Sequence, residues 1–150
     1  RVAYFEVPKK NGKSALCSGL CLYGLCGDGE QGAEVYCGAA SREQAAIVFD
    51  EAEKMARASA DLVPYLTFVP SRKAILFPST NSIYKALSAD VPTKEGLNIS
   101  MLVYDELHAQ ADSDLLHVIE TSSTSQNRRQ PLTLYTTTAD YDRPSACNVK

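Results

Sequence analysis

The 150 residues carry 18 acidic and 15 basic side chains, a net charge of −3, with 45% hydrophobic and 22% charged residues. That balance excludes a disordered chain and a polycation built to coat nucleic acid, while leaving room for local basic contacts. No apolar run approaches the ~20 residues that cross a bilayer and no signal-peptide pattern opens the chain, so an intracellular protein with no membrane partner is expected, folded around one core.

The chain starts at Arg1 rather than Met and enters an apolar strand within a few residues, which reads as a piece of a larger gene product. Ala3–Val7 has strand composition, and from Gly12 to about Leu25 the apolar spacing turns helical. Between them lies Glu6-Val-Pro-Lys-Lys-Asn-Gly-Lys-Ser14, the Gly-Lys-Ser of a phosphate-binding loop set in the strand-to-helix context such a loop requires. In the pattern G-x-x-x-x-G-K-[ST], Gly12, Lys13 and Ser14 match, but Val7 stands in place of the opening glycine. The cradle depends on backbone N–H groups and the helix N-terminus, so Gly12 matters more than the missing residue. Pro8 favours an extended Val7, Lys9 and Lys10 add positive charge, and Asn11 completes a basic variant of the loop.

A turn-rich connector, Gly27–Gly32, precedes a short buried strand, Glu34–Ala39. Ser41-Arg-Glu-Gln44 is a capping box, and Ala45, Val48, Phe49, Ala52 and Met55 mark the inward face of a helix to about Ser59. Short β-like pieces at Leu66–Val69, Ala74–Phe77 and Ile83–Leu87, broken by Pro70 and Pro78, predict a small hairpin region over residues 66–87 beside or at the edge of the main sheet. Ile99–Tyr104 is an almost uninterrupted apolar run, the mark of a central strand, and it ends in Asp105-Glu106. A helix over about Ser113–Ser122 and a strand over Pro131–Thr136 follow. Strands alternating with helices predict an α/β fold with a mainly parallel central sheet flanked by helices, its ligand sites at the carboxyl ends of the strands.

The five cysteines, Cys17, Cys21, Cys26, Cys37 and Cys147, form no C-x-x-C pair, and Cys17 and Cys21 share a helical stripe with Leu20 and Leu25. They read as small core residues rather than as a zinc site or a disulfide framework. His117 reads as a helix-surface or boundary residue, and the paired Arg128-Arg129 as a solvated loop, with contact to DNA or a neighbouring subunit as the functional alternative.

A tripeptide Gly-Lys-Ser is weak alone. Joined to a buried strand ending in two carboxylates it describes a nucleoside-triphosphate hydrolase, in which the strand-end aspartate holds Mg²⁺ through water and the next acid polarises the attacking water. Val-Pro-Lys-Lys-Asn-Gly-Lys-Ser14 resembles the deviant Walker A loop of large terminase subunits, the ATP-driven motors that package DNA into phage capsids. Leu102-Val-Tyr-Asp-Glu-Leu-His108 resembles their Walker B segment. The stretches 41–52, 93–98 and 129–139 agree in the same order, so the resemblance covers nearly all of residues 1–140.

The resemblance implies a P-loop NTPase fold, ATP and Mg²⁺ as cofactors, and an ATP-binding loop of Pro8, Lys9, Lys10, Asn11, Gly12, Lys13 and Ser14. It implies that Lys13 contacts the β- and γ-phosphates, that Ser14 and Asp105 hold Mg²⁺, that Glu106 is the catalytic carboxylate, and that Thr136, Thr137 and Thr138 form the motif coupling hydrolysis to DNA movement. Lysines stand at 9 and 10 where family loops often carry arginine, and Asp140 stands where a glycine commonly closes the coupling motif. The implied partners are double-stranded DNA, further copies of the subunit in a ring, a small terminase subunit and a portal, in the cytoplasm of a phage-bearing bacterial host. The whole of 1–150 is then one ATPase domain, its nuclease domain and extreme N-terminus lying elsewhere, and Lys94 is a candidate for a charge donated to a neighbouring subunit. Two alternatives stay open: a helicase-like ATPase, suggested by Asp105-Glu-Leu-His108, and a folded but catalytically inert fragment.

Overall fold

The computed structural model describes residues 1–8, 10–87, 97–105 and 128–137. Seven strands form one sheet: β1 (Val2–Glu6), β2 (Glu34–Ala39), β3 (Thr67–Val69), β4 (Ala74–Phe77), β5 (Ser82–Ala86), β6 (Met101–Asp105) and β7 (Leu132–Thr137). Among the described residues two α-helices, α1 (Lys13–Leu22) and α2 (Arg42–Ala58), follow β1 and β2. The spatial order is β1-β7-β6-β2-β5-β4-β3, with the first five parallel and β4 and β3 antiparallel at the far edge.

Chemistry follows position in this sheet. β6 lies between β7 and β2 and is buried along its whole length, as its unbroken apolar run Met-Leu-Val-Tyr requires. β1 is an edge strand, and its burial alternates along the chain. On one face α1 and α2 pack over Val35, Cys37, Tyr84, Met101, Val103 and Leu134; the other face gathers Tyr36, Ile99, Leu102, Tyr104 and Tyr135.

α2 begins where the capping box predicts, with the Gln44 N–H donating to Ser41 Oγ at 3.2 Å. Its buried residues, Ala45, Val48, Phe49, Ala52 and Ala56, recur at helical spacing. α1 ends in a wide π-helical turn at Tyr23–Gly27, where a Cβ on Gly24 would come within 2.7 Å of Met101 Sδ. A larger residue there would have to displace the Met101 thioether, so glycine lets that turn settle closely against β6. Ser18 joins the two helices, its Oγ lying 2.8 Å from the Ser14 carbonyl and 2.9 Å from that of Val48.

The region predicted as a small hairpin is a three-strand meander continuous with the main sheet. β3 and β4 do form an antiparallel edge, but β5 pairs parallel with β2 and so belongs to the central set. The two prolines build its turns: Pro70-Ser-Arg-Lys73 and Pro78-Ser-Thr-Asn81 each close with the proline carbonyl accepting the fourth residue's N–H at 3.1 Å. Lys73 and Asn81 exit those turns at φ 43° and 54°. The predicted helix over 113–122, together with His117, lies outside the described residues.

Candidate nucleotide-binding site

The parallel strands point the same way, so the carboxyl ends of β1, β7 and β6 meet on one rim. β7 lies between the strand that leads into the glycine loop and the strand that ends in Asp105. Phe5 is opposite Thr136 and Tyr104 is opposite Tyr135, which sets Thr136 beside Asp105.

The loop is built from both ends. The Val7 N–H donates to the Thr137 carbonyl at 3.2 Å, fastening the start of the loop to the end of β7. At the other end Gly12 is the N-cap of α1 at φ 73°, ψ 18°, a left-handed geometry that glycine adopts without strain. Its carbonyl accepts the first helical hydrogen bond, from Leu16 N–H at 3.0 Å, and it has no side chain to cap the remaining first-turn N–H groups. Lys10 also takes a left-handed conformation, φ 67°, which is uncommon for a residue with a Cβ. Lys10, Asn11 and Gly12 are exposed, whereas Lys13 and Ser14 sit partly buried on the first turn of α1.

Lys13 Nζ lies 3.0 Å from Asp105 Oδ1, and both side chains are about nine-tenths buried. The same carboxylate oxygen accepts a hydrogen bond from Thr136 Oγ1 at 2.6 Å. Beneath them the Cys17 thiol donates to Thr136 Oγ1 at 3.8 Å. Burial pushes that thiol up from its ordinary 9.0 to about 11; the Thr136 contact and the Lys13 charge oppose the rise and the Asp105 charge adds to it. A cation, a carboxylate and a hydroxyl from three separate elements therefore converge at the mouth of the glycine loop. Of the residues the sequence singles out, Lys13, Asp105 and Thr136 touch, Ser14 and Thr137 flank them, and Lys9, Glu106, His108, Lys94 and Thr138 lie outside the described residues.

Arg128 departs from its expected solvated state. Its side chain is 6% exposed and its guanidinium donates to the carbonyls of Gly32 at 2.7 Å, Asn98 at 2.8 Å and Gln31 at 3.2 Å, with Glu30 Oε1 at 3.4 Å. It is a clasp at the amino ends of the strands, opposite the loop, while Arg129 beside it is exposed.

The chain belongs to the terminase large subunit family: the family model "Terminase large subunit, ATPase domain" matches residues 1–150. The large terminase subunit of Enterobacteria phage HK97 is 39% identical over 106 residues, covering 70% of this chain and 21% of that protein. The crystal structure of the HK97 large terminase superposes with a TM-score of 0.87 at 32% identity, over 99% of this chain and 31% of that one. A large terminase of the thermophilic bacteriophage D6E, solved in complex with ADP, shares the fold at a TM-score of 0.66 and 7% identity, over 91% of this chain and 33% of that one. The chain thus spans well under half the length of each of these relatives.

Proposed function

We propose that this chain is the ATP-hydrolysing part of a motor that drives double-stranded DNA into a procapsid. The observation that carries the reading is the meeting of Lys13, Asp105 and Thr136 at the end of the glycine loop. Lys13 is on hand to take the β- and γ-phosphate charge, and the first-turn N–H groups of α1 to receive phosphate oxygens. The ADP in the D6E structure supports a nucleotide as occupant of this fold.

The donor set also fits Mg²⁺, a hard cation that takes oxygen ligands such as the Ser14 hydroxyl and the Asp105 carboxylate. Bound there, Mg²⁺ supplies neutralisation of the charge that builds on the phosphates in the transition state. Thr136 fixes the orientation of the Asp105 carboxylate, and Glu106, next in the chain, orients and deprotonates the attacking water. Thr136 and Thr137 end β7, between the strand that leads into the glycine loop and the strand that ends in Asp105, and pass a change at Asp105 along β7; Thr138, next in the chain, completes the motif.

In this reading residues 1–150 are one ATPase domain, and the intact subunit adds a nuclease domain, assembles in a ring, and meets a small terminase subunit and a portal in the host cytoplasm. The helicase-like alternative yields to the family match. The test is phosphate release by the intact subunit with and without duplex DNA. Hydrolysis should fall at least about a hundredfold in Asp105→Ala, for loss of an electrostatic contribution of several kcal/mol; an Asp105→Ala enzyme as fast as wild type would refute the site.

A further inference from the structure

A second feature lies on the same rim. A cleft of about 450 Å³ opens at the carboxyl ends of β2 and β5, and the charged side chains among its described lining are Arg42, Arg72, Lys73 and Lys85. No carboxylate is among the described lining residues, in a chain whose net charge is −3.

Each cation reaches the cleft by a separate route. Arg42 is the first residue of α2, so its charge adds to the positive end of a 17-residue helix. Arg72 and Lys73 come from the turn between β3 and β4, held by the Pro70 carbonyl. Lys85 lies on β5, directly opposite Tyr36 of β2 and Ala74 of β4. Lys73 is occupied, with Asp50 Oδ1 2.6 Å from its Nζ. No such ion pair involves Arg42, Arg72 or Lys85 among the described residues, and Arg42 and Arg72 are exposed.

We propose that Arg42, Arg72 and Lys85 grip the phosphate backbone of duplex DNA, independently of its sequence. Charge complementarity identifies the occupant: three cations with no carboxylate partner among the described residues, spread over separate elements, suit a row of phosphates better than one compact anion. A cleft of this volume cannot admit a duplex, but it can receive a sugar-phosphate ridge. Such contacts position nucleic acid without reading bases.

The location gives the grip a purpose. β6, which ends in Asp105, is separated from β5 only by β2, and neighbouring strands lie about 4.8 Å apart, so the cleft sits roughly 10 Å across the rim from the nucleotide site. A rearrangement at Asp105 has a short path to the DNA contacts through β2 and the start of α2. The inference rests on the DNA-packaging reading above and assigns it a contact surface.

The experiment measures binding of a short fluorescent duplex by the intact subunit, by anisotropy across a salt series, with ATP affinity followed separately by calorimetry. In Arg42→Ala/Arg72→Ala/Lys85→Ala, affinity should drop at least about tenfold at 0.1 M salt and the log–log salt slope should become shallower by about 2–3, equally for unrelated sequences. ATP affinity should be unchanged, and Arg42→Lys/Arg72→Lys should keep the wild-type slope, which separates lost charge from lost folding. Arg129→Ala, on the opposite end of the sheet, serves as the control for charge and should bind as wild type. Equal slopes in wild type and the triple variant would overturn the assignment of the cleft while leaving the motor reading intact. A triple variant that loses ATP affinity in step with DNA affinity would also overturn it. Wild-type protein that hydrolyses ATP but binds no duplex would overturn the packaging reading itself, and the cleft assignment with it.

Discussion

Thr136 Oγ1 and Lys13 Nζ, from elements at opposite ends of the chain, both contact Asp105 Oδ1, at 2.6 Å and 3.0 Å. One oxygen thus joins β7, the partner of the strand that leads into the glycine loop, to the helix that the loop begins. Replacing Thr136 by Val keeps the shape and removes the hydroxyl. A hydrogen bond to a charged group is worth about 1.5–3 kcal/mol, so kcat for ATP hydrolysis should fall by roughly tenfold or more in Thr136→Val. ATP affinity should stay within a few-fold, because the hydroxyl acts on Asp105 and not on phosphate. Steady-state kinetics beside calorimetry checks the split, and parallel loss of both would point to general disruption.

Glu106→Gln and Lys13→Ala should separate chemistry from binding. In its proposed role Lys13 faces phosphate charge present before and during the reaction, so its loss should weaken both nucleotide affinity and turnover. The proposed role of Glu106 concerns only the water, so Glu106→Gln should abolish turnover and leave affinity nearly intact. Calorimetric titration with ATP decides between them; equal affinity losses in the two variants would contradict the assigned roles.

Arg128→Ala should destabilise the fold without touching the nucleotide site. It strips a buried guanidinium from the carbonyls of Gln31, Gly32 and Asn98, a loss of roughly 2–4 kcal/mol. For a domain of this size each kcal/mol moves the melting temperature by about 2–4 °C. Arg129→Ala, at an exposed residue, should change stability by less than about 0.5 kcal/mol. Thermal melts of the pair test the contrast.

Alkaline stability should reflect the buried thiols. Burial raises Cys17 from 9.0 to about 11 and Cys37 from 9.0 to about 12. A folded-state value above the unfolded one means that the unfolded chain releases its protons first. The contribution is complete below pH 9 and is lost as pH climbs through the folded values. Denaturant midpoints should therefore drop between pH 9 and 11, and Cys17→Ala should make that drop shallower. An identical pH dependence in the variant would show that Cys17 does not contribute.

The sequence made local features legible and left the pairings between distant segments hidden. Gly12-Lys-Ser14, the Ser41 cap and the apolar run into Asp105 are each written within a few residues, and each stands where its pattern placed it. That β5 pairs parallel with β2 depends on a crossover through α2 and two turns, which no local pattern encodes. Arg128 was misleading for the same reason: its acceptors come from residues 31, 32 and 98, so a pair of loop arginines looks solvated until the sheet brings those carbonyls together. The contact of Thr136 with Asp105 follows from β7 lying between β1 and β6, a strand order reachable beforehand only through family resemblance.

In the proposed function Lys13 and Asp105 hold each other where a nucleotide's phosphates and its Mg²⁺ will stand. A crystal structure of the intact subunit with Mg²⁺ and a non-hydrolysable ATP analogue tests it most directly. The triphosphate should be wrapped by residues 8–14, with Lys13 Nζ moved off Asp105 Oδ1 to about 3 Å from the β- and γ-phosphate oxygens. An analogue bound elsewhere, with the 3.0 Å Lys13–Asp105 contact unchanged, would contradict it.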